Sequence, residues 1–490
     1  MTRPAYPEAR RSDDADSLHG TLVRDPYRWL EDPDSPETVA WSLAQDALLQ
    51  AETGGLPGRD RLVERVGQLL GAGTVGTPAW RGDRQFFMRR TAEQEHAVLL
   101  TVDPEGTERV LVDPVAIDAS GTTTLDAWQP SKEGHLLAYQ LSAGGTEESV
   151  LHVIDVVTGA PVEGPIDRAR YSPVAWLPGG EAFYYVRRVR PELVPADEAQ
   201  YHRRVWLHRV GTEPETDAEV LGAGLDMTNY YGVTVSMDGR WLVVGASAGT
   251  APRNDLWLAD LSDGRLESPT LRVVQEGVDA STSLHVGRDG RVYVFTDRDS
   301  PRGRLAVTTP DDPSYPTWTD LVPEDEEAVL EGWVILDGAG PDGVLPADGG
   351  TLLCAWTRHA MGEITTHAVR TGERTGTVPL PGLGSVTGMA ERPEGGHEAW
   401  FGYTDHVTPA SVFRFDAHTG ETSQWATAPG TVEVPEVHAR QVEFTSADST
   451  VVRMLVLSPA KEPDRPRPTV LYGYGGFSIP MTPGYSAGLL

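Results

Sequence analysis

Two periodicities divide this chain. Between residues 35 and 70 the apolar positions recur at helical spacing. Ala40, Leu43, Ala44, Ala47, Leu48 and Ala51 form one stripe, and Leu62, Val66, Leu69 and Leu70 form a second. Ser35-Pro36-Glu37 is a helix start: a serine placed to cap the first amides, a proline in the first turn and an early acid. Gly54-Gly55 ends the first run and Gly71 the second. The pattern predicts two amphipathic helices, each of which must lay its stripe on something.

From about residue 74 the spacing becomes alternating and turn residues arrive regularly. One kind of turn leads a polar-glycine pair into an apolar strand, at Lys132-Glu133-Gly134, Pro178-Gly179-Gly180, Met237-Asp238-Gly239 and Arg288-Asp289-Gly290. A second kind closes a strand with an aspartate and ends on glycine, at Asp155 to Gly159, Asp260 to Gly264 and Asp416 to Gly420. The first kind recurs at roughly 45 to 60 residues, the repeat of four-stranded propeller blades lengthened by insertions. The span from about 74 to 435 holds roughly seven such units. A sandwich of unrelated hairpins is the rival reading, but sandwiches rarely exceed ~250 residues.

After about residue 436 the pattern changes again. Arg440 to Thr445 and Val451 to Leu457 predict a hairpin across Ser446–Thr450. A proline-rich connector, Pro463 to Pro468, leads to Thr469-Val470-Leu471-Tyr472, an apolar run of buried-strand type. That run enters Gly473-Tyr474-Gly475-Gly476-Phe477. A strand leaving a hairpin and ending in a glycine-rich turn reads as the opening of an α/β domain.

Composition narrows the function classes. The 490 residues carry a formal charge of -31, which disfavours phosphate backbones and anionic lipid surfaces, so neither nucleic acid nor membrane is an expected partner. The 52 glycines and 38 prolines, spread through the chain, fit many short strands. Cys354 is the single cysteine, so no intrachain disulfide forms, as suits a reducing compartment. The first eleven residues lack an apolar core and no run approaches a membrane span, so the expected location is cytoplasmic.

The segment Tyr472 to Phe477 is the main candidate for chemistry. In α/β-hydrolases the loop after such a strand contributes to the oxyanion hole, where a tyrosine hydroxyl can donate to the developing charge. Taken alone, the six residues read equally well as an ordinary strand-to-loop turn. Gly245-Ala246-Ser247-Ala248-Gly249 matches a nucleophile-elbow pattern, but a loop and another strand follow it where the elbow needs a helix, so Ser247 is not a nucleophile. The histidine spacings, such as His359 to His367 and His397 to His406, match no ligand motif, and no metal or other cofactor is expected. Cys354 lies in an apolar strand as a packing residue, and the 13 tryptophans fall on strand positions as core residues. Arg187-Arg188-Val189-Arg190, a basic cluster in an acidic protein, is expected to pair with neighbouring blades.

Four segments, in order, resemble the prolyl oligopeptidase family of serine peptidases. They are Asp25-Pro26-Tyr27-Arg28-Trp29-Leu30-Glu31-Asp32, then Tyr201 to His208, then Thr296 to Leu305, then Leu471 to Phe477 with Thr482-Pro483. The resemblance covers essentially the whole chain and implies a mainly β fold. That fold is a seven-bladed β-propeller at 73–435, an N-terminal helical arm at 1–72 and the first strands of a truncated α/β-hydrolase domain at 436–490. It implies a serine endopeptidase that cuts short peptides after proline, the propeller filtering access; a monomer is expected. Tyr474 falls on the family's oxyanion-stabilising tyrosine, and Phe477 on the aromatic lining the proline pocket, whose flat wall suits a ring with no N–H to satisfy.

The departures matter as much. The family's nucleophile elbow, aspartate and histidine lie downstream of the Tyr474 segment, and nothing follows Leu490, so the chain is expected to be inactive alone. Asp448-Ser449 replaces the usual Asp-Gly, which implies a different turn, and Asp297 replaces the commoner asparagine. Two alternatives stay open: a non-catalytic propeller that binds partners, and a related oligopeptidase of different specificity. The intact glycine-glycine-phenylalanine favours the proline-specific branch.

Overall fold

In a computed structural model the described residues are 4–338, 345–346, 349–430, 432–433, 435–462, 464–476 and 479–490. The chain divides into two units, residues 1–71 and 72–490. In the first, helix α1 (Pro36–Thr53) begins where the capping residues predict: the Ser35 hydroxyl accepts the Thr38 amide at 3.2 Å. Helix α2 (Arg59–Leu70) follows. The Asp25 to Asp32 segment organises the approach to α1. Trp29 donates its indole N–H to the Arg10 carbonyl at 2.8 Å, and its own carbonyl accepts the Thr38 hydroxyl at 3.0 Å. Within this unit Leu62, Val63, Val66 and Leu70 of α2 stay exposed, so the apolar face the sequence marks is not covered there.

The second unit holds seven antiparallel sheets in succession, spanning residues 79–112, 123–166, 174–221, 229–275, 282–322, 328–377 and 385–427. Each is a four-stranded meander; the first gains a short extra strand, Thr74–Val75. This is a seven-bladed β-propeller. The marker glycines Gly134, Gly179, Gly239 and Gly290 each sit in the turn between the first and second strands of blades 2 to 5. Gly239 and Gly290 take φ of 78° and 79°, left-handed values that a side chain would strain. The aspartate-to-glycine turns join third and fourth strands. In blade 7 the Gly420 amide bonds the Asp416 carbonyl at 2.8 Å, as Gly159 bonds Asp155 at 2.8 Å in blade 2. Blade 7 carries a turn of the same kind at Glu394-Gly395-Gly396, and blade 1 a tighter one at Gly82-Asp83, both between first and second strands.

Packing explains why the strands read as apolar on both faces. Tyr184, Val186 and Leu207 of blade 3 pack with Tyr231, Leu242, Val244 and Trp257 of blade 4, while Trp176, Phe183 and Tyr185 on the other face pack with Leu151 and Val153 of blade 2. Each sheet is sandwiched between neighbours, and each large side chain so buried contributes roughly 1.5–3 kcal/mol. The ring closes without strand exchange, because blade 1 and blade 7 each consist of consecutive strands. Closure rests on a backbone bond, from the Gly73 amide to the Pro429 carbonyl at 3.1 Å, and on side chains. Trp80 and Trp400 meet at 4.7 Å between centroids, the Arg392 guanidinium stacks 3.8 Å over Trp80, and Arg392 donates to the Gly82 carbonyl at 2.7 Å. The Gly82 amide in turn donates to Glu394 at 2.9 Å.

Beyond the ring, His438–Thr445 and Val451–Ser458 form the expected hairpin. Its turn corrects the sequence reading. Ser449 itself adopts φ 70°, the left-handed position a glycine would occupy, so the turn keeps its shape and carries the strain. The strand expected over residues 469–472 is not formed: residues 466–475 have no regular structure, and Val470 and Leu471 are 90% and 82% exposed. A strand of this kind is stabilised by neighbours on both edges, and among the described residues none pairs with it.

Candidate functional site

The inner strands of the blades run beside the ring axis, and with the adjoining turns they line a cavity of about 1140 Å³. Its wall runs from Trp128 and Pro130 of blade 2 through Trp176 and Val235 to Ile335 and Glu391 of blades 6 and 7. One end is charged. There Lys132 reaches from blade 2 past blade 3 to donate to the Val235 and Ser236 carbonyls of blade 4, at 3.0 and 2.8 Å. Burial, reinforced by the Arg81 charge, lowers its ammonium to about 8. Arg81 bonds the Ser131 carbonyl at 2.9 Å, and burial lowers its guanidinium too. Glu391, in the same wall, is pushed up to about 7 by burial and by the like charge of Asp337. Arg288 of blade 5 pairs with Asp337 at 3.3 Å. The first-to-second-strand turns are therefore braced by cations that cross between blades.

The opposite end, where inner strands begin and second strands finish, receives the chain after the propeller. Gln441 of the hairpin donates to the His359 carbonyl, in the turn after the second strand of blade 6, at 2.6 Å. Farther on, Ser385 donates to the Pro483 carbonyl at 2.6 Å, Thr404 accepts the Tyr485 amide at 3.1 Å, and His406 meets the Gly484 carbonyl at 3.1 Å. Tyr474 thus lies between two stretches tied to one rim of the ring. Its side chain is 51% exposed, and among the described residues its hydroxyl makes no hydrogen bond. Phe477 lies outside the described residues. Tyr474 is consequently seen without the pocket residue assigned to act beside it.

Other sequence readings find their places. Ser247 is inside the strand Trp241–Ala248, paired opposite Tyr230, with no helix after it. Cys354 is fully buried, and burial pushes its thiol up to about 12. Arg187 pairs with Asp167 and, at 3.1 Å, with Glu215, while Arg188 pairs with Glu148, so the basic cluster joins blades 2 and 3. The histidine spacing argument needs correction: His397, Asp416 and His418 have donor atoms within 4.8 Å of one another. Sequence distance hid this set, because a hairpin between strands Glu398–Thr404 and Ser411–Asp416 brings the residues together. No helix among the described residues is long and apolar enough to cross a membrane.

Comparison with known proteins follows the same lines. Residues 6–428 match the family model described as "Prolyl oligopeptidase, N-terminal beta-propeller domain". The chain is 28% identical to the prolyl endopeptidase of Elizabethkingia meningoseptica over 485 residues, covering 98% of this chain and 65% of that protein. It is 25% identical to prolyl oligopeptidase A of Amanita bisporigera, covering 99% of this chain and 67% of that one. A solved prolyl endopeptidase structure is 31% identical, with a TM-score of 0.86, across 99% of this chain and 69% of that one. Prolyl oligopeptidase B of Galerina marginata shares the fold at a TM-score of 0.85 and 21% identity, covering 99% of this chain and 70% of that one. The chain thus spans about 65% of the length of the Elizabethkingia prolyl endopeptidases it matches.

Proposed function

The chain belongs to the prolyl oligopeptidase family, and on that premise we propose that it is the propeller-bearing part of a serine endopeptidase cutting short peptides after proline. The observation that carries the reading is the unbroken family match over residues 6–428, continued in the same chain by Tyr472-Gly473-Tyr474-Gly475-Gly476. In this reading residues 436–490 begin an α/β-hydrolase domain, and residues 1–72 belong structurally with it. The run at 469–472 becomes a strand when neighbouring strands flank it. None of the described residues is assigned as nucleophile, base or acid.

Tyr474 donates its hydroxyl to the oxyanion of the tetrahedral intermediate. Such a donor is worth about 3–4 kcal/mol when it is aimed at charge that develops only in the transition state. Phe477 supplies a flat wall for the pyrrolidine ring. The cavity inside the ring admits a thin, unfolded peptide and rejects a folded domain. The ties of the hairpin and of Pro483 to one rim support a reacting centre over that mouth of the channel.

The test is hydrolysis of a blocked Gly-Pro reporter peptide by the protein purified from its own cells, with product masses locating the cut. Cleavage after proline is expected, and Tyr474→Phe should lower kcat about 10²–10³-fold while KM stays nearly constant. Cleavage after other residues would end the proline assignment. Full activity of Tyr474→Phe would end the oxyanion role while leaving the peptidase reading intact.

A further inference from the structure

His397 and His418 stand on adjacent turns at the charged end of blade 7. Their imidazoles lie face to face, with centroids 4.0 Å apart and planes within 8°. Between those turns is Asp416, whose two carboxylate oxygens are differently engaged. Oδ1 accepts the His418 and Thr419 amides at 2.8 and 3.4 Å, which fixes the carboxylate in the turn. Oδ2 faces His397 Nε2 at 3.8 Å and Arg414 at 3.5 Å. The backbone supports the arrangement, with the Ala417 amide bonding the His397 carbonyl at 2.8 Å. Among the described residues neither imidazole makes a hydrogen bond, so both rings keep nitrogens available at a surface open to solutes.

A divalent cation matches this donor set. It takes the nitrogen lone pairs and the oxygen together, and two histidines with one carboxylate form a common ligand set. The donor atoms already lie within 4.8 Å of one another. Bonds of about 2.0–2.1 Å around a tetrahedral ion need donors roughly 3.3 Å apart. The His418 ring is exposed and makes no hydrogen bond among the described residues, so it can turn to meet that spacing.

We propose that His397, Asp416 and His418 form a binding site for an imidazole-preferring divalent cation of the zinc or nickel type, completed by solvent. Calcium and magnesium, which prefer all-oxygen shells, are excluded by the same donors. Bound metal ties the turn before Glu398 to the turn after Asp416. The first of these turns also carries Arg392 and Glu394, which hold blade 1 through Trp80 and Gly82. Metal at this site therefore braces the seam where the ring closes. The inference is independent of any peptidase activity.

The experiment is calorimetric titration of the tag-free 490-residue chain with zinc chloride and nickel chloride, with magnesium and calcium as controls. One saturable equivalent of zinc or nickel is expected, together with a rise in the thermal unfolding midpoint. His418→Ala, a surface change that leaves the fold intact, should weaken that equivalent at least about tenfold and abolish the rise. Asp416→Asn should do likewise. His438→Gln, remote from the cluster, should change neither. Absence of a saturable equivalent, or its persistence unchanged in His418→Ala, would overturn the proposal.

Discussion

The strands of the propeller and the segment that follows it are built from similar residues but meet opposite fates. Ala182 to Val186 and Val470 to Tyr472 are both apolar and β-forming. The first run is wholly buried between two neighbouring sheets, whereas the second is almost fully exposed. Composition does not separate them. In the ring every sheet finds partners for both faces inside the same chain, and the last blade meets the first. The run at 469–472 has no edge to pair with among the described residues, so its backbone groups stay with water. Amphipathic α2 shows the same condition on a helix: Leu62, Val66 and Leu70 form a stripe that nothing in its own unit covers. A local pattern announces what a segment can bury, and supply of the surface decides whether it does.

The largest effect that contrast predicts is in local stability. Backbone amides of the second strands in blades 2 to 6 should exchange with deuterium at least about a thousandfold more slowly than those of residues 4–71 and 438–476. Limited proteolysis should cut before residue 72 and after residue 436 while leaving the ring intact. Equal protection along the whole chain would break the comparison.

A smaller effect should come from the seam. Trp400→Ala removes the ring that meets Trp80 and is predicted to cost about 3–5 kcal/mol, read as a lower denaturation midpoint of the propeller transition. If the ring were closed by something other than these side chains, the loss would fall below about 1 kcal/mol. The smallest change sharpens the description of the hairpin. Ser449→Gly relieves a left-handed φ and should stabilise the hairpin by about 1 kcal/mol, visible as slower exchange across residues 438–458. No gain would mean that the Ser449 side chain offsets its own strain.

Much of this architecture could be read from residue patterns because its causes are local. Helix caps, alternating strands and glycine turns act over a few residues, so Ser35, Gly239 and the Asp416 to Gly420 turn could be placed before any coordinates. Their repetition yielded a count of blades, and the order of four segments yielded a family. What the fold alone revealed depends on residues far apart in the chain. Lys132 reaches across to blade 4, Arg392 lies over Trp80, and His397 stands against His418. None of these has a sequence signal, since distance along the chain does not encode distance through a folded ring. The exposed state of Tyr474 belongs to the same class: its residue type and glycine-rich setting were readable, but a strand's burial is settled by the neighbours it meets.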